Sequence, residues 1–304
     1  MPGTTETEKV YSAIEESARM LDVPFSRDKV WPILTTFGEA LGENLVVLGV
    51  QTGERHAGEL DYSFAAPPSV GDPYPYARSK GFVAETDHPV GSLLSDIHAH
   101  IPVREYGIDC GVVTGFRKFY AHFPHDLQKL SKLTDIPSMP HAVAENAGLF
   151  ARYGLDDVAM IGVNYEQRTM SVYFQFGVEG QLEPKAIRSM LREIGLHEPD
   201  NRTLEYVHRT MRANFTFGWE SSKITRVALA PPPRRGLDLA ALPTRLAPHI
   251  ARFATSAPRV YGGERVNLFA AKWSADEEML EICSYYRLSP IQERLLATHR
   301  EEPA

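Results

Sequence analysis

The chain has 304 residues, 43% of them hydrophobic and 23% charged, enough to bury a sizeable core as one domain or two. A net charge of −7 and a sequence pI near 5.9 leave no overall basic field for nucleic acid or an anionic membrane, although a local cationic pocket remains compatible with them. The first residues lack a basic stretch leading into an apolar run, and no apolar stretch reaches about 18 residues, so a cytoplasmic protein without membrane association is expected. The two cysteines, Cys110 and Cys283, fall in no CxxC or metal-ligand spacing and read as reduced and buried, neither being a favoured nucleophile.

Helical periodicity opens the chain in TEKVYSAIEESARMLDV, with Val10, Ile14 and Met20 or Leu21 on one side and a start near Thr7. A second helix, SRDKVWPILTTFGEAL, follows the cap candidate Ser26, with Pro32 inside it as a candidate kink. A theme then repeats: two short runs of period two, then an amphipathic helix. The paired runs fall at 45–51 and 59–66, 105–113 and 116–123, 158–163 and 169–176, 209–218 and 223–230, and 265–273 and 279–287. The helices that trail them are PVGSLLSDIHAH, PHAVAENAGLFARYG, PKAIRSMLREIGL, LAPHIARFAT and SPIQERLLATHR.

Ten strands in five hairpin-and-helix units, without the spacing of βαβ crossovers, argue for antiparallel pairing. With helices along one face only, the other face is either solvated or wrapped around a lumen, and closure removes exposed edges. One closed sheet in a single domain over residues 1–304 is therefore expected, with the Pro-rich stretch 228–243 read as a loop rather than a domain linker.

If the helices claim the apolar faces, the polar faces line the lumen. Those faces carry Glu59, Asp61 and Ser63; Lys118, Tyr120 and His122; Thr169, Ser171, Tyr173 and Gln175; Arg212, Asn214 and Thr216; Arg226, Ala228 and Ala230; and Glu281, Cys283 and Tyr285. Alternation alone is as well explained by a wet sheet face. The tyrosines 120, 173 and 285 favour an enclosed cavity, in which Lys118, Arg226 and Arg212 could hold a di-anion such as diphosphate, with Ala228, Ala230 and Met160 completing an apolar wall. Other candidates are weaker: His98 and His100 are two apart on a predicted helix and do not share a face, Asp156 and Asp157 read as a solvated turn, and no GxGxxG, P-loop or HExxH pattern occurs.

The segments GELDYSF, GFRKFYAHFP, IPSMPHAVAENAGLFARYGLD, FGWESSKITR and SYYRLSPIQERLL resemble the soluble ABBA, or PT-barrel, aromatic prenyltransferases, and the likeness is nearly collinear from about residue 8 to residue 297. The resemblance implies an α+β fold: a ten-stranded antiparallel β-barrel with a solvent-filled lumen, surrounded by α-helices in repeated αββα units. It implies transfer of a prenyl group, geranyl first, from an allylic diphosphate to an electron-rich aromatic polyketide such as a hydroxynaphthalene or a flaviolin relative, by Friedel-Crafts-type substitution in secondary metabolism. A phenazine or other phenolic acceptor with a C5 or C15 donor stands as the alternative, and a non-catalytic barrel for apolar ligands as the rival class. No organic cofactor or nucleic acid is implied, and a monomer is expected.

Position by position, the resemblance makes Asp61 a magnesium ligand, while some family members work without metal, so Mg²⁺ stays open. Lys118 and Arg226 match diphosphate-binding cations, and Tyr120 and Tyr173 match tyrosines that contact the prenyl diphosphate, shielding the carbocation together with Tyr285. Leu48, Ser63, Met160, Ala230, Leu268, Ala271, Tyr285, Gln292 and Leu295 match acceptor-pocket positions, to which Gln175 is added. The chain departs from the family pattern at Glu281, where a diphosphate-binding lysine is expected, and at Ser171, Asn214 and Arg212. These departures suggest a charge swap in which Arg212, with Ser171 and Asn214, serves the diphosphate, and Glu281 pairs with Arg212 or joins Asp61. Ala159, Met211 and Cys283 also differ from the pattern, so acceptor preference is not carried over unaltered.

Overall fold

The computed structural model describes residues 5–53, 59–124, 126–176, 182–290, 292, 293 and 296. Its strands are β1 (Val46–Gln51), β2 (Asp61–Ala65), β3 (Glu105–Gly111), β4 (Gly115–His122), β5 (Gln128–Lys129), β6 (Asp157–Asn164), β7 (Thr169–Gln175), β8 (Arg212–Phe217), β9 (Ile224–Ala230), β10 (Arg234–Arg235), β11 (Val266–Trp273) and β12 (Glu278–Arg287). Ten of them form a closed ring, β1-β2-β3-β4-β6-β7-β8-β9-β11-β12, with β12 returning to β1 and every pairing antiparallel. The two-residue strands β5 and β10 add short extensions on β6 and β11. The Pro-rich stretch after β9 is a loop carrying β10 and a 3-10 turn at Leu239–Ala241.

Helices sheathe the ring: α1 (Glu6–Leu21), α2 (Arg27–Thr36), α3 (Pro73–Ser79), α4 (Val90–His100), α5 (Leu130–Leu133), α6 (His141–Glu145), α7 (Ala147–Arg152), α8 (Pro184–Glu193), α9 (Asn201–Val207) and α10 (Pro248–Ser256). The first begins earlier than its apolar stripe suggests, because Thr5 and Glu8 form a reciprocal capping box. Ser26 stands at the cap of α2 but makes no side-chain cap bond, and the helix runs through Pro32 before stopping at Thr36. The helix expected over 140–154 is broken into α6 and α7 at Asn146, whose amide donates to the carbonyls of Ala142 and Ser222, both at 2.8 Å. Most of the expected final helix lies outside the described residues.

The alternation of each strand divides its side chains between two environments. Leu60, Tyr62 and Phe64 turn outward and are at most 3% exposed, with Phe64 facing Phe37 from the end of α2 at 6.3 Å between ring centroids. On the opposite side of the ring, Phe150 of α7 packs against Phe174 of β7 at 4.9 Å and Phe215 of β8 at 5.0 Å. Non-directional burial of this kind drives helices onto one sheet face. The other parity points into the lumen, where register lines up Ser63, Asp109, Lys118 and Asn164 across β2, β3, β4 and β6.

Candidate active site

One enclosed cavity of about 120 Å³ lies in the lumen, lined by Lys118, Tyr120, Ser171, Tyr173, Asn214, Thr216, Arg226, Lys272 and Glu281. At about 30 Å³ per water it has room for several waters, or for a small anion. Three of its walls are cations. The Lys118 ammonium lies 5.3 Å from the centre of the Tyr120 ring, and Tyr120 and Tyr173 meet edge to face at 5.9 Å. Gly162 permits this arrangement: a Cβ there would stand 3.1 Å from Tyr120 and 3.3 Å from Tyr173. Burial keeps both phenols protonated, pushing Tyr120 well above the ordinary tyrosine range and raising Tyr173 even against the pull of Lys272 and Arg226.

Lys118 and Arg226, which the resemblance implies, and Ser171 and Asn214, which depart from its pattern, line this cavity together, but Arg212 does not. Its place is taken by Lys272, which bridges Glu281 at 2.9 Å. The expected partners of Glu281, Arg212 or Asp61, are therefore corrected. Lys272 shares the lumen face of β11 with Ala270, and Ala270 is the register partner of Glu281 on β12, so the two charges meet diagonally across adjacent strands. Burial alone would raise the Glu281 pKa; Lys272, with help from Lys118 and Arg226, more than reverses it and keeps the carboxylate charged.

Next to the cavity lies a pair of acids. Asp61 accepts a short hydrogen bond from the Arg117 guanidinium, and Asp109 faces Lys118 at 3.8 Å and takes the Ser63 hydroxyl at 2.9 Å. Arg117 gets there through irregular register: Asp109 pairs with Lys118 and Cys110 with Phe116, leaving Arg117 as the extra residue of a bulge. Gly111 lies beside it: a Cβ there would be in ordinary contact with the Arg117 side chain at 3.4 Å but would stand only 2.5 Å from the Thr114 hydroxyl. Burial and the Asp109 charge push Asp61 up to about 7 even though Arg117 and Lys118 pull the other way. A magnesium ion needs carboxylate oxygens free to approach it. Here one oxygen of the Asp61 carboxylate already holds the Arg117 guanidinium, which competes with such an ion for it.

The far end of the lumen holds six of the expected acceptor positions, Met160, Gln175, Ala230, Leu268, Cys283 and Tyr285. Met160 opposes Tyr173 and His122, Gln175 and Ala230 flank Arg212, and Cys283 lies between Gly49 and Leu268. Ala159 is the extra residue of the bulge before Met160. Tyr285 packs with Val47 and Leu268. Burial raises its pKa, so it too stays a neutral phenol.

Two expected positions are on the wrong side of the wall. Leu48 pairs with Tyr62 and Ala271 with Leu229, so both belong to the outer apolar core; Val47, Gly49 and Ala270 are the lumen residues of those strands. A strand alternates with period two, so Leu268 and Ala271 could not both face inward. Met211 precedes β8, one residue out of phase with the lumen set. Ser63 is occupied in holding Asp109. The Gln292 carboxamide oxygen accepts from the Ser289 amide at 3.2 Å in a helix cap, and Leu295 lies outside the described residues. Lys272, Asp109 and Arg117 are the functional candidates that the sequence reading missed. Lys272 alone left a signal, as a lone charge between Ala271 and Trp273 in an apolar strand.

A closed barrel that buries cations beside tyrosine faces defines a class of enzyme that activates an anionic, partly apolar substrate inside its lumen. Residues 5–298 match the family Aromatic prenyltransferase Orf2, and the chain belongs to that family: it is an aromatic prenyltransferase. It is 40% identical to the flaviolin linalyltransferase of Streptomyces virginiae over 290 residues, 94% of each chain. It is 38% identical to the 5,10-dihydrophenazine-1-carboxylate 9-dimethylallyltransferase of Streptomyces anulatus, over 97% of this chain and 98% of that one. A furaquinocin biosynthesis prenyltransferase from Streptomyces sp. (strain KO-3988) is 38% identical over 94% of each. The crystal structure of 6-dimethylallyltryptophan synthase from Micromonospora olivasterospora, in complex with DMASPP and Trp, shares the fold at a TM-score of 0.55 and 11% identity, covering 95% of this chain and all of the other. Among the described residues no helix is long and apolar enough to cross a membrane.

Proposed function

We propose that this prenyltransferase moves a C10 geranyl group from its diphosphate to a hydroxynaphthalene or flaviolin-like ring, acting as a cytoplasmic monomer. The observation that carries the reading is the cavity in which Lys118, Arg226 and Lys272 converge beside the faces of Tyr120 and Tyr173. The C–O bond of the allylic diphosphate breaks with its electron pair going to the leaving group. The ring carbon attacks the allylic cation, and its displaced proton leaves to restore aromaticity. Lys118, Arg226 and Lys272 aim charge-assisted hydrogen bonds where the leaving group gains negative charge. The tyrosine rings exclude water and attract the cation, each by roughly 0.5–2 kcal/mol. A carrier of apolar ligands has no use for cations buried this deeply.

Arg117 competes with a magnesium ion for the Asp61 carboxylate, so the reaction is proposed to run without metal. The test is incubation with dimethylallyl, geranyl and farnesyl diphosphates against hydroxynaphthalenes, flaviolin, hydroxybenzoates and dihydrophenazines, with Mg²⁺ or EDTA, read by mass spectrometry. Geranylated naphthalenes formed equally in EDTA support the proposal. A preference for dimethylallyl transfer to the phenazine would replace its substrates, and loss in EDTA restored by Mg²⁺ would put the ion back on Asp61.

A further inference from the structure

Arg212 was expected to serve the diphosphate, and the structure gives it another setting. Thr216 pairs with Arg226, Asn214 with Ala228 and Arg212 with Ala230 along β8 and β9. At about 3.3–3.4 Å per residue, the Arg212 Cα lies roughly 7 Å beyond Asn214 and 13 Å beyond Thr216. Both of those residues line the cation cavity; Arg212 does not. Its neighbours are those of the far end: Gln175 and Ala230 across the sheet, with Tyr285, Tyr173 and His122 near enough to feel its charge.

The charge balance at that end is incomplete. Lys118 has Asp109, Lys272 has Glu281 and Arg117 has Asp61, whereas among the described residues no carboxylate pairs with Arg212. Its Nε is buried with no hydrogen-bond partner. Burial pushes its pKa down, with only the tyrosines opposing. An unpaired guanidinium in such a place is costly unless an anion meets it. The prenyl tail carries no charge, and the function proposed above puts the diphosphate at the opposite end. The remaining source is the aromatic acceptor.

We propose that Arg212 recognises an anionic oxygen group on the aromatic acceptor, a carboxylate or an ionised phenol, and so selects acidic acceptors and fixes their orientation in the lumen. The planar guanidinium fork suits two parallel hydrogen bonds to such a group. The proposal rests on the transferase reading above and assigns Arg212 a positioning role, with no part in breaking the diphosphate bond.

The experiment compares 1-hydroxy-2-naphthoate, 2-hydroxy-1,4-naphthoquinone and 1-naphthol, which present a carboxylate, an ionised enol and a neutral phenol. Binding is read by quenching of tryptophan fluorescence, and transfer by kinetics with geranyl diphosphate, for the wild type, Arg212→Gln and Arg212→Lys. Arg212→Gln is expected to weaken at least one anionic ligand tenfold or more relative to 1-naphthol, with Arg212→Lys recovering part of the loss and the KM for geranyl diphosphate staying within twofold. Which anion suffers identifies the group recognised. Equal weakening of all three ligands, a selective rise in donor KM, or a wild type that binds neither anion better than 1-naphthol would overturn the proposal. Should Arg212→Gln fail to fold by thermal unfolding, the ratio of anionic to neutral affinity in Arg212→Lys decides alone. Arg212-dependent discrimination without transfer to any acceptor would leave this inference standing and remove the proposed function.

Discussion

The outer and inner faces of the same ten strands are organised by opposite means, the outer one sealed from water and the inner one lining a lumen that solvent partly reaches. Outside, Phe150, Phe174 and Phe215 fill space with apolar surface and leave nothing to be satisfied. Inside, several charges are kept in place by neighbours of opposite sign, as Lys272 is by Glu281, while Arg212 is not. The difference teaches that one alternating pattern can supply stability from one parity and chemistry from the other. It also makes the two faces separable by mutation.

The sharpest separation comes from Phe150→Ala, which removes a ring buried between two strands and a helix. It should cost about 3–5 kcal/mol in urea unfolding while leaving kcat near wild type for the protein that remains folded. Lys118→Ala should show the reverse: a fall in kcat of roughly 10²–10³, with a smaller change in melting temperature than Phe150→Ala. A lumen residue whose loss unfolds the barrel without touching turnover would break the comparison.

His122 tests how dry the inner face is. Burial, with the nearby Arg212 charge, lowers its pKa from 6.5 to about 3, so the folded state holds it neutral. A depressed histidine contributes stability that is complete above 6.5 and is lost as pH falls toward 3. Between pH 6.5 and 5 the wild type should lose up to about 2 kcal/mol that His122→Asn does not, and less if water enters the lumen freely. Equal pH slopes for the two proteins would mean that the ring is solvated.

The smallest effect concerns the Lys272 and Glu281 pair. Lys272→Glu alone should raise the KM for the prenyl diphosphate about tenfold, roughly 1.4 kcal/mol. The double exchange should recover most of it, because the charges would trade places across one strand pair. A double variant no better than Lys272→Glu would show that Lys272 acts by position rather than by charge.

Much of this was legible from the sequence. Period-two alternation located all ten ring strands to within a few residues, and recurrent amphipathic helices said which parity faced out. Lys118, Arg226, Tyr120 and Tyr173 followed from that parity. The errors came where alternation was ignored or interrupted. Leu48 and Ala271 were placed against the period of their own strands. Arg117 reaches Asp61 only because a bulge suspends the period, and a bulge leaves little trace in composition.

Local periodicity and collinear motifs carry the strands, the sheath of helices and the family. Which charges meet follows from the closed ring alone. Lys272 and Glu281, Arg117 and Asp61, and the unpaired Arg212 are set by register, bulge and depth in a closed ring. Residues far apart in the chain become neighbours there through hydrogen-bond geometry that no single segment encodes.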